Sequence, residues 1–245
     1  MLPEQTVAQV MAVPLMAERR TSAGAMQASA ASDRSPHSRL GRLLVSGAAQ
    51  QGVRLEDLAV AKLTRYAELL ELWGRTINLT AVHGREQVVR RHFLDSLALV
   101  GRLPAASELP SSTLLDVGSG AGFPGVLCAL ARPDLHVVLS ERIGKKAAFL
   151  LTLRRELGLK FEVCADDATR LPLRFGVVVS RAALPLPKWL PFAAELAAPG
   201  GYLFAMTSPA EPLPTPPPGV LPTLDENYDV GDGPHRILGY RLAAG

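Results

Sequence analysis

The stretch "LLDVGSGAGFPG", residues 114–125, closes an apolar run with an acid and four glycines. Glycines at this spacing let the backbone take positive φ and turn sharply where a buried strand gives way to a helix. Such a turn commits the chain to an α/β fold. The sequence downstream agrees. "TLLDVG", "LHVVLSE", "KFEVCAD", "GVVVSRA" and "YLFAM" read as strands, and "PGVLCALARP", "KKAAFLLTLRRELGL" and "LPKWLPFAAELAAPGG" as helices between them. Near-continuous Val/Leu runs separated by helices predict a mostly parallel twisted sheet covered by helices on both faces. Pro124 suits the first turn of its helix, where a missing N–H costs nothing. "SPAEPLPTPPPGVLP" is too rich in proline for a regular element and reads as a surface loop. "ENYDV" and "HRILGYRL" are expected to close the sheet as an antiparallel hairpin.

Upstream the period changes. Leu58, Leu63, Tyr66, Leu69, Leu70 and Trp73 recur near every 3.6 residues, marking an amphipathic helix that stops around Gly74. "EQVVRRHFLDSLALVGRL" repeats the device with Val88, Val89, Phe93, Leu94, Leu97 and Val100. The chain thus divides into three parts: residues 1–38, rich in Ala, Ser, Met and Gln, as a disordered tail; 39–108 as a small helical N-terminal unit; and 109–245 as the α/β domain.

Of the 245 residues, 48% are hydrophobic and 20% charged, enough for a real core, and the net charge of +3 permits nucleic-acid binding without requiring it. Cys128 and Cys164 lie far apart in apolar surroundings and read as two buried thiols of a reducing compartment, not as a disulfide or a metal pair. No apolar run approaches a membrane span and no secretory signal is visible, so the expected location is cytoplasmic.

The glycines satisfy two templates. Gly120, Gly122 and Gly125 fit the dinucleotide pattern; Asp116, Gly118, Gly120 and Gly122 fit the turn of S-adenosylmethionine-dependent methyltransferases. Asp116 separates them. A pyrophosphate on a helix N-terminus is weakened by a nearby carboxylate, whereas a sulfonium and an ammonium are helped by one. The structural alternative makes Asp116 a cap or turn-stabilising side chain. Glu141 closes the second strand, where an acid takes ribose hydroxyls. Asp166, Asp167 and Arg181 end the third and fourth strands on the same carboxyl edge, with an aspartate near the adenine amino group and Arg181 toward the substrate. The Asn/Asp-Pro-Pro-aromatic tetrapeptide of many exocyclic-amine methylases is missing.

With these residues in hand, the chain resembles the bacterial glucose-inhibited division protein B family, methyltransferases that modify a guanine N7 in small-subunit ribosomal RNA. The match runs from "LWGRTINLTAV" and "VVRRHFLDSL" through "DVGSGAGFPG", "IGKKAAFL", "ELGL" and "VVVSRAA" to "PGGYLFAM", roughly residues 40 to 210. The resemblance implies a Rossmann-like class I methyltransferase. It places the cofactor contacts at Gly118, Phe123, the Asp167–Ala168 pair and Arg181, to which the residue reading adds Gly120 and Glu141. Two departures stand out: "ADDAT" where the family reads more like Ser-Arg-x-Glu, and Thr207 where it carries a lysine.

Guanine N7 has an in-plane lone pair and no proton to remove, so neither a nucleophile nor a metal is expected. Arg90, Arg91 and His92, with Lys145 and Lys146, are candidate contacts to small-subunit RNA or the 30S subunit, and Arg154 and Arg155 line the same helix as the lysines. The alternative is solvated helix faces. His92 and Asp95 either face the cofactor cleft or form a buried structural pair. Three rival functions remain: a methyltransferase of another substrate, a nicotinamide dehydrogenase, and a non-catalytic RNA-binding or ribosome-assembly factor that keeps the fold.

Overall fold

The computed structural model describes residues 35–181 and 183–244, so most of the tail expected at 1–38 lies outside the described residues. Ser38 caps the first helix, α1 (Arg39–Gln50), by accepting from the Gly41 N–H. Helix α2 (Asp57–Trp73) buries Val60, Leu63, Tyr66, Ala67, Leu69 and Leu70 and ends at Gly74. Leu58, which the helical period puts on that apolar face, is 68% exposed; Val60 takes the inner position in the first turn.

Helix α3 (Arg85–Val88) passes without a break through a π-helical stretch (Val89–Leu94) into α4 (Asp95–Val100). A π turn is a wider coil with i→i+5 bonding and recurs at functional sites. Its trace is in the sequence: Val88 and Phe93, like Val89 and Leu94, are five apart, and all four are buried.

The sheet then forms from β1 (Thr113–Val117), α5 (Gly125–Ala131), β2 (His136–Ser140), α6 (Gly144–Leu157), β3 (Glu162–Cys164), β4 (Phe175–Arg181), α7 (Leu186–Leu196), β5 (Ala197–Thr207), β6 (Val220–Asp229) and β7 (Pro234–Leu242). Its order is β3-β2-β1-β4-β5-β7-β6. Five strands are parallel, β7 pairs antiparallel with β5, and β6 pairs antiparallel with β7. This is the doubly covered α/β sheet the sequence predicts.

Alternation along the strands separates two cores. Leu114, Val177 and Val179 face a large cluster shared with α1 through α6, while Leu115 and Val178 face a smaller one built on α7. The N-terminal helices thus bury their apolar stripes in the same cluster as one face of the sheet. Pro124 caps α5, and Gly125 is its first residue.

Two expectations need correction. The helix "LPKWLPFAAELAAPGG" ends at Leu196, and "AAPGG" begins β5. Pro199 cannot continue a helix, Gly200 takes φ +76°, and the pairing with β4 jumps a bulge from Ala197 to Tyr202. Of the cysteines only Cys128 is buried; Cys164 is half-buried, and both are free thiols.

Candidate active site

At the end of β1 the chain turns through Gly118, Gly120 and Gly122 at φ of +70°, +59° and +103°. Six N–H groups of residues 118–125 are taken within the protein. Gly118 and Ser119 donate to the Ser140 carbonyl at 2.9 and 3.0 Å, and Gly122 and Phe123 to the Ser119 carbonyl at 2.7 and 3.1 Å. Gly120 donates to Glu141 Oε2 at 2.9 Å. Gly125 donates to Asp116 Oδ2 at 2.9 Å. A bound pyrophosphate needs such donors, above all those of the helix N-terminus. Here those six are engaged, Gly125 at the helix N-terminus among them, which disfavours the dinucleotide template.

Asp116 therefore changes role. It does not offer its charge to a ligand; it caps α5, which is the structural alternative for this residue. The side chain is fully buried, and its Oδ1 has no hydrogen-bond partner among the described residues. Burial pushes the carboxyl up to about 6, against the pull of the Gly125 N–H. Only glycine fits at position 125, because a Cβ there would lie 2.0 Å from Leu139 Cδ2 and 2.7 Å from Asp116 Oδ2.

Glu141 is the acid that borders the turn. Its second oxygen, Oε1, accepts from the Ile143 N–H at 2.7 Å, so both ends of the carboxylate are anchored. A Cβ added at Gly120 would meet nothing nearer than the Gly118 carbonyl at 3.9 Å. The turn thus presents bare backbone beside a fixed carboxylate. S-adenosylmethionine, with its ribose hydroxyls and cationic sulfonium, fits such a place.

On the β3 side, Ser140 Oγ donates to the Asp166 carbonyl at 3.1 Å, drawing the end of β3 against that of β2. Asp167 caps a short 3-10 turn (Ala168–Arg170) through Thr169, and Ala168 is buried. Asp166 points outward to Arg170 at 2.8 Å.

On the β4 side, Phe123 is buried beneath a stack. His92 lies over its ring at 4.7 Å between centroids, Tyr66 at 5.4 Å, and the Arg181 guanidinium at 5.0 Å. Arg181 Nη1 donates to Asp95 Oδ2 at 3.1 Å. Burial, then the Arg181 charge, lowers His92 to about 4, so its ring is neutral. Its Nε2 is 2.6 Å from Thr80 Oγ1. His92, which is half-buried, and buried Asp95 do not pair with each other; both contact Arg181, His92 Nδ1 lying 3.1 Å from its Nη1.

The basic candidates divide. Lys145 and Lys146 open α6 and, with Thr76, Ile77, Asn78 and Ile143, line a cleft of about 400 Å³. Arg90 and Arg91 ride on the π stretch, and Arg91 pairs with Asp232 at 3.0 Å. Arg154 and Arg155 are exposed. Thr207 ends β5 opposite Arg236, whose guanidinium is held by Asp225 at 2.7 Å. Sequence reasoning missed Tyr66, Tyr228, Asp232 and His235. Tyr66 reads as core on its helix, yet its hydroxyl donates to the Ala121 carbonyl inside the glycine turn.

A parallel sheet closed by an antiparallel hairpin, with a glycine turn after β1 and an anchored acid after β2, defines a class I S-adenosylmethionine-dependent methyltransferase. The chain belongs to the family described as GidB, rRNA small subunit methyltransferase G, whose model matches residues 59–211. It is 41% identical over 168 residues to a ribosomal RNA small subunit methyltransferase G of Anaeromyxobacter dehalogenans, covering 66% of this chain and 76% of that one. With the same-named protein of Burkholderia multivorans it shares 38% identity over 174 residues, covering 68% and 75%. In fold it is similar to the magnesium protoporphyrin IX methyltransferase of Synechocystis with bound SAM, at TM-score 0.51 and 15% identity, over 74% of this chain and 97% of that one.

Proposed function

We propose that this protein transfers a methyl group from S-adenosylmethionine to N7 of a guanine in small-subunit (16S) ribosomal RNA. One observation carries the reading: a glycine turn most of whose N–H groups are engaged internally and whose bordering side chain is the Glu141 carboxylate. Such a turn suits a cationic adenosine cofactor and not a pyrophosphate. Gly118, Gly120, Phe123, Glu141, Asp167 and Ala168 hold the cofactor, and Arg181 with neutral His92 faces the base. The helices of 39–108 form one wall of the cleft and residues 109–245 the other. Arg90, Arg91, Lys145 and Lys146 meet RNA phosphates, on naked RNA or on the 30S subunit, in the cytoplasm.

When bound, S-adenosylmethionine supplies an electrophilic methyl group on sulfur. Because N7 carries no proton, this chain's residues need only align the base, exclude water and keep competing charges paired. The stack of Phe123, His92 and Arg181 does this: Phe123 is buried, the half-buried histidine is neutral, and the arginine is held by Asp95.

Mass mapping of small-subunit RNA from a deletion strain tests the reading, the expected result being one guanine that loses its methyl group. Arg181→Ala is expected to slow methyl transfer about a hundredfold. Removing both Lys145 and Lys146 should lower the logarithmic salt slope of RNA binding by about 1.4. Calorimetry should show heat with S-adenosylmethionine and none with NAD. Thr207, at the family's lysine position, favours an assembly factor as the second reading; a wild-type protein that binds 30S subunits without methylating them would establish it.

A further inference from the structure

The β6–β7 hairpin lies beyond the family-matched residues 59–211, yet its side chains close the site. Tyr228 Oη donates to Asp95 Oδ1 at 2.5 Å. His235 Nδ1 lies 3.2 Å from the same oxygen, and its Nε2 lies 2.9 Å from Asp232 Oδ1. The other oxygen of Asp232 accepts from Arg91 Nε at 3.0 Å. Asp95 Oδ2 is left to Arg181. Charges alternate along the line Arg181, Asp95, His235, Asp232 and Arg91. The line begins over Phe123 and ends at an exposed arginine.

We infer that His235 is a positioning residue for Arg181: by bridging Asp95 and Asp232 with both ring N–H groups, it fixes the Asp95 carboxylate so that Oδ2 stays aimed at the guanidinium. The inference rests on Arg181 facing the reacting base, the role proposed for it in methyl transfer. A carboxylate with one free oxygen swings about its last torsion, and a long arginine follows it. With Oδ1 tied by Tyr228 and His235, one orientation remains. The hairpin therefore sets the angle of Arg181 through the carboxylate they share.

An imidazole that donates to two carboxylates carries both protons. The hydrogen bond to Asp95, aided by Asp232 and opposed by desolvation, holds His235 up to about 9. The groups facing it are Asp95 from α4, Arg181 behind Asp95 from β4, Asp232 and Asp229 from the hairpin turn, Tyr228 stacked at 5.5 Å, and Arg91 behind Asp232 from the π stretch. Loss of the ring proton leaves one of the two carboxylates without its donor, and the clamp loosens.

The test is methyl transfer to 30S subunits by the full chain from pH 6.5 to 10, for wild type and His235→Gln, with cofactor affinity measured calorimetrically on the same samples. Wild type should lose about tenfold in kcat across an alkaline limb near pH 9. His235→Gln donates from one nitrogen only, so it should show the lowered kcat already at pH 7.5, no limb, and cofactor affinity within about twofold of wild type. His235→Arg, which keeps two donors and a permanent charge, should regain kcat and also lack the limb. A limb that persists in His235→Gln, or an unchanged kcat there, overturns the inference. If the variants fold poorly, NMR titration of the wild-type ring decides: a midpoint near 9 supports the bridge, and one near 6.5 overturns it. Absence of methyl transfer by wild type overturns the functional reading itself, whereas a competent wild type with an indifferent His235→Gln overturns only this role.

Discussion

Asp116 and Asp95 are the same residue type at nearly the same depth, 0% and 3% exposed, and the protein treats them oppositely. Asp116 receives one backbone N–H and leaves an oxygen bare, so burial dominates and its carboxyl rises to about 6. Asp95 feels the same burial, but the His235 hydrogen bond, the Arg181 charge and the Tyr228 hydroxyl outweigh it, and its carboxyl falls below the usual range. Donors, not depth, decide the charge of a buried acid. The acid inside the glycine motif does a helix's work, while the acid outside it organises the cleft.

The largest expected effect comes from breaking the second half of this contrast. Asp95→Asn leaves Arg181 and His235 without their shared counter-charge, which should lower unfolding free energy by about 3–5 kcal/mol in urea at pH 7.5 and abolish methyl transfer. A loss under about 1 kcal/mol would erase the difference between the two aspartates.

Next is the pH dependence. The folded carboxyl of Asp116 titrates above its ordinary 3.8, so its favourable contribution is complete below that pH and lost as pH rises through about 6. Relative to Asp116→Asn, wild type should lose on the order of 3 kcal/mol between pH 4 and 7. A constant difference across that window would mean that Asp116 stays ionised throughout. Asp95 has the opposite sign, its contribution being present above 3.8 and lost in stronger acid.

Smaller is Tyr228→Phe, which strips one donor from Asp95 and should reduce thermal stability by about 2 kcal/mol. Smallest is Ser119→Ala. Ser119 Oγ donates to the Asp116 carbonyl at 3.0 Å and its hydroxyl helps Gly125 hold the Asp116 carboxyl down, so its loss should remove about 1 kcal/mol and move the pH limb upward. If Ser119→Ala leaves that limb in place, the carboxyl of Asp116 leans on Gly125 alone.

Much of this architecture is written locally. The near-continuous apolar run that buries Leu114 on one face and Leu115 on the other, the glycine turn and the stop at Gly74 all arise from residues a few positions apart, and composition marks the proline-rich loop. Glu141 and Arg181 are legible because strand ends in an open sheet share one edge. Two kinds of information are not. The i→i+5 step at Val88 and Phe93 hides inside a helical period, so the π turn reads as ordinary helix. The His235 bridge joins residues more than a hundred positions apart, with pairing partners that only the sheet order brings together. Asp116 takes a role other than the one its pattern suggests, because a motif gives an acid's position and not its neighbours.

The π stretch makes chain length itself a determinant of register. A π turn spends one residue more than an α turn on the same rotation. Deleting one residue between Val89 and Leu94 would let the helix relax to the common coil with every other side chain retained. The segments on either side would keep their register, Asp95 with them, but within the stretch the rings of His92 and Phe123 would part. Such a shortened chain is expected to melt near the parent temperature and to transfer no methyl groups, so this helix tolerates exchange of its letters far better than a change in their number.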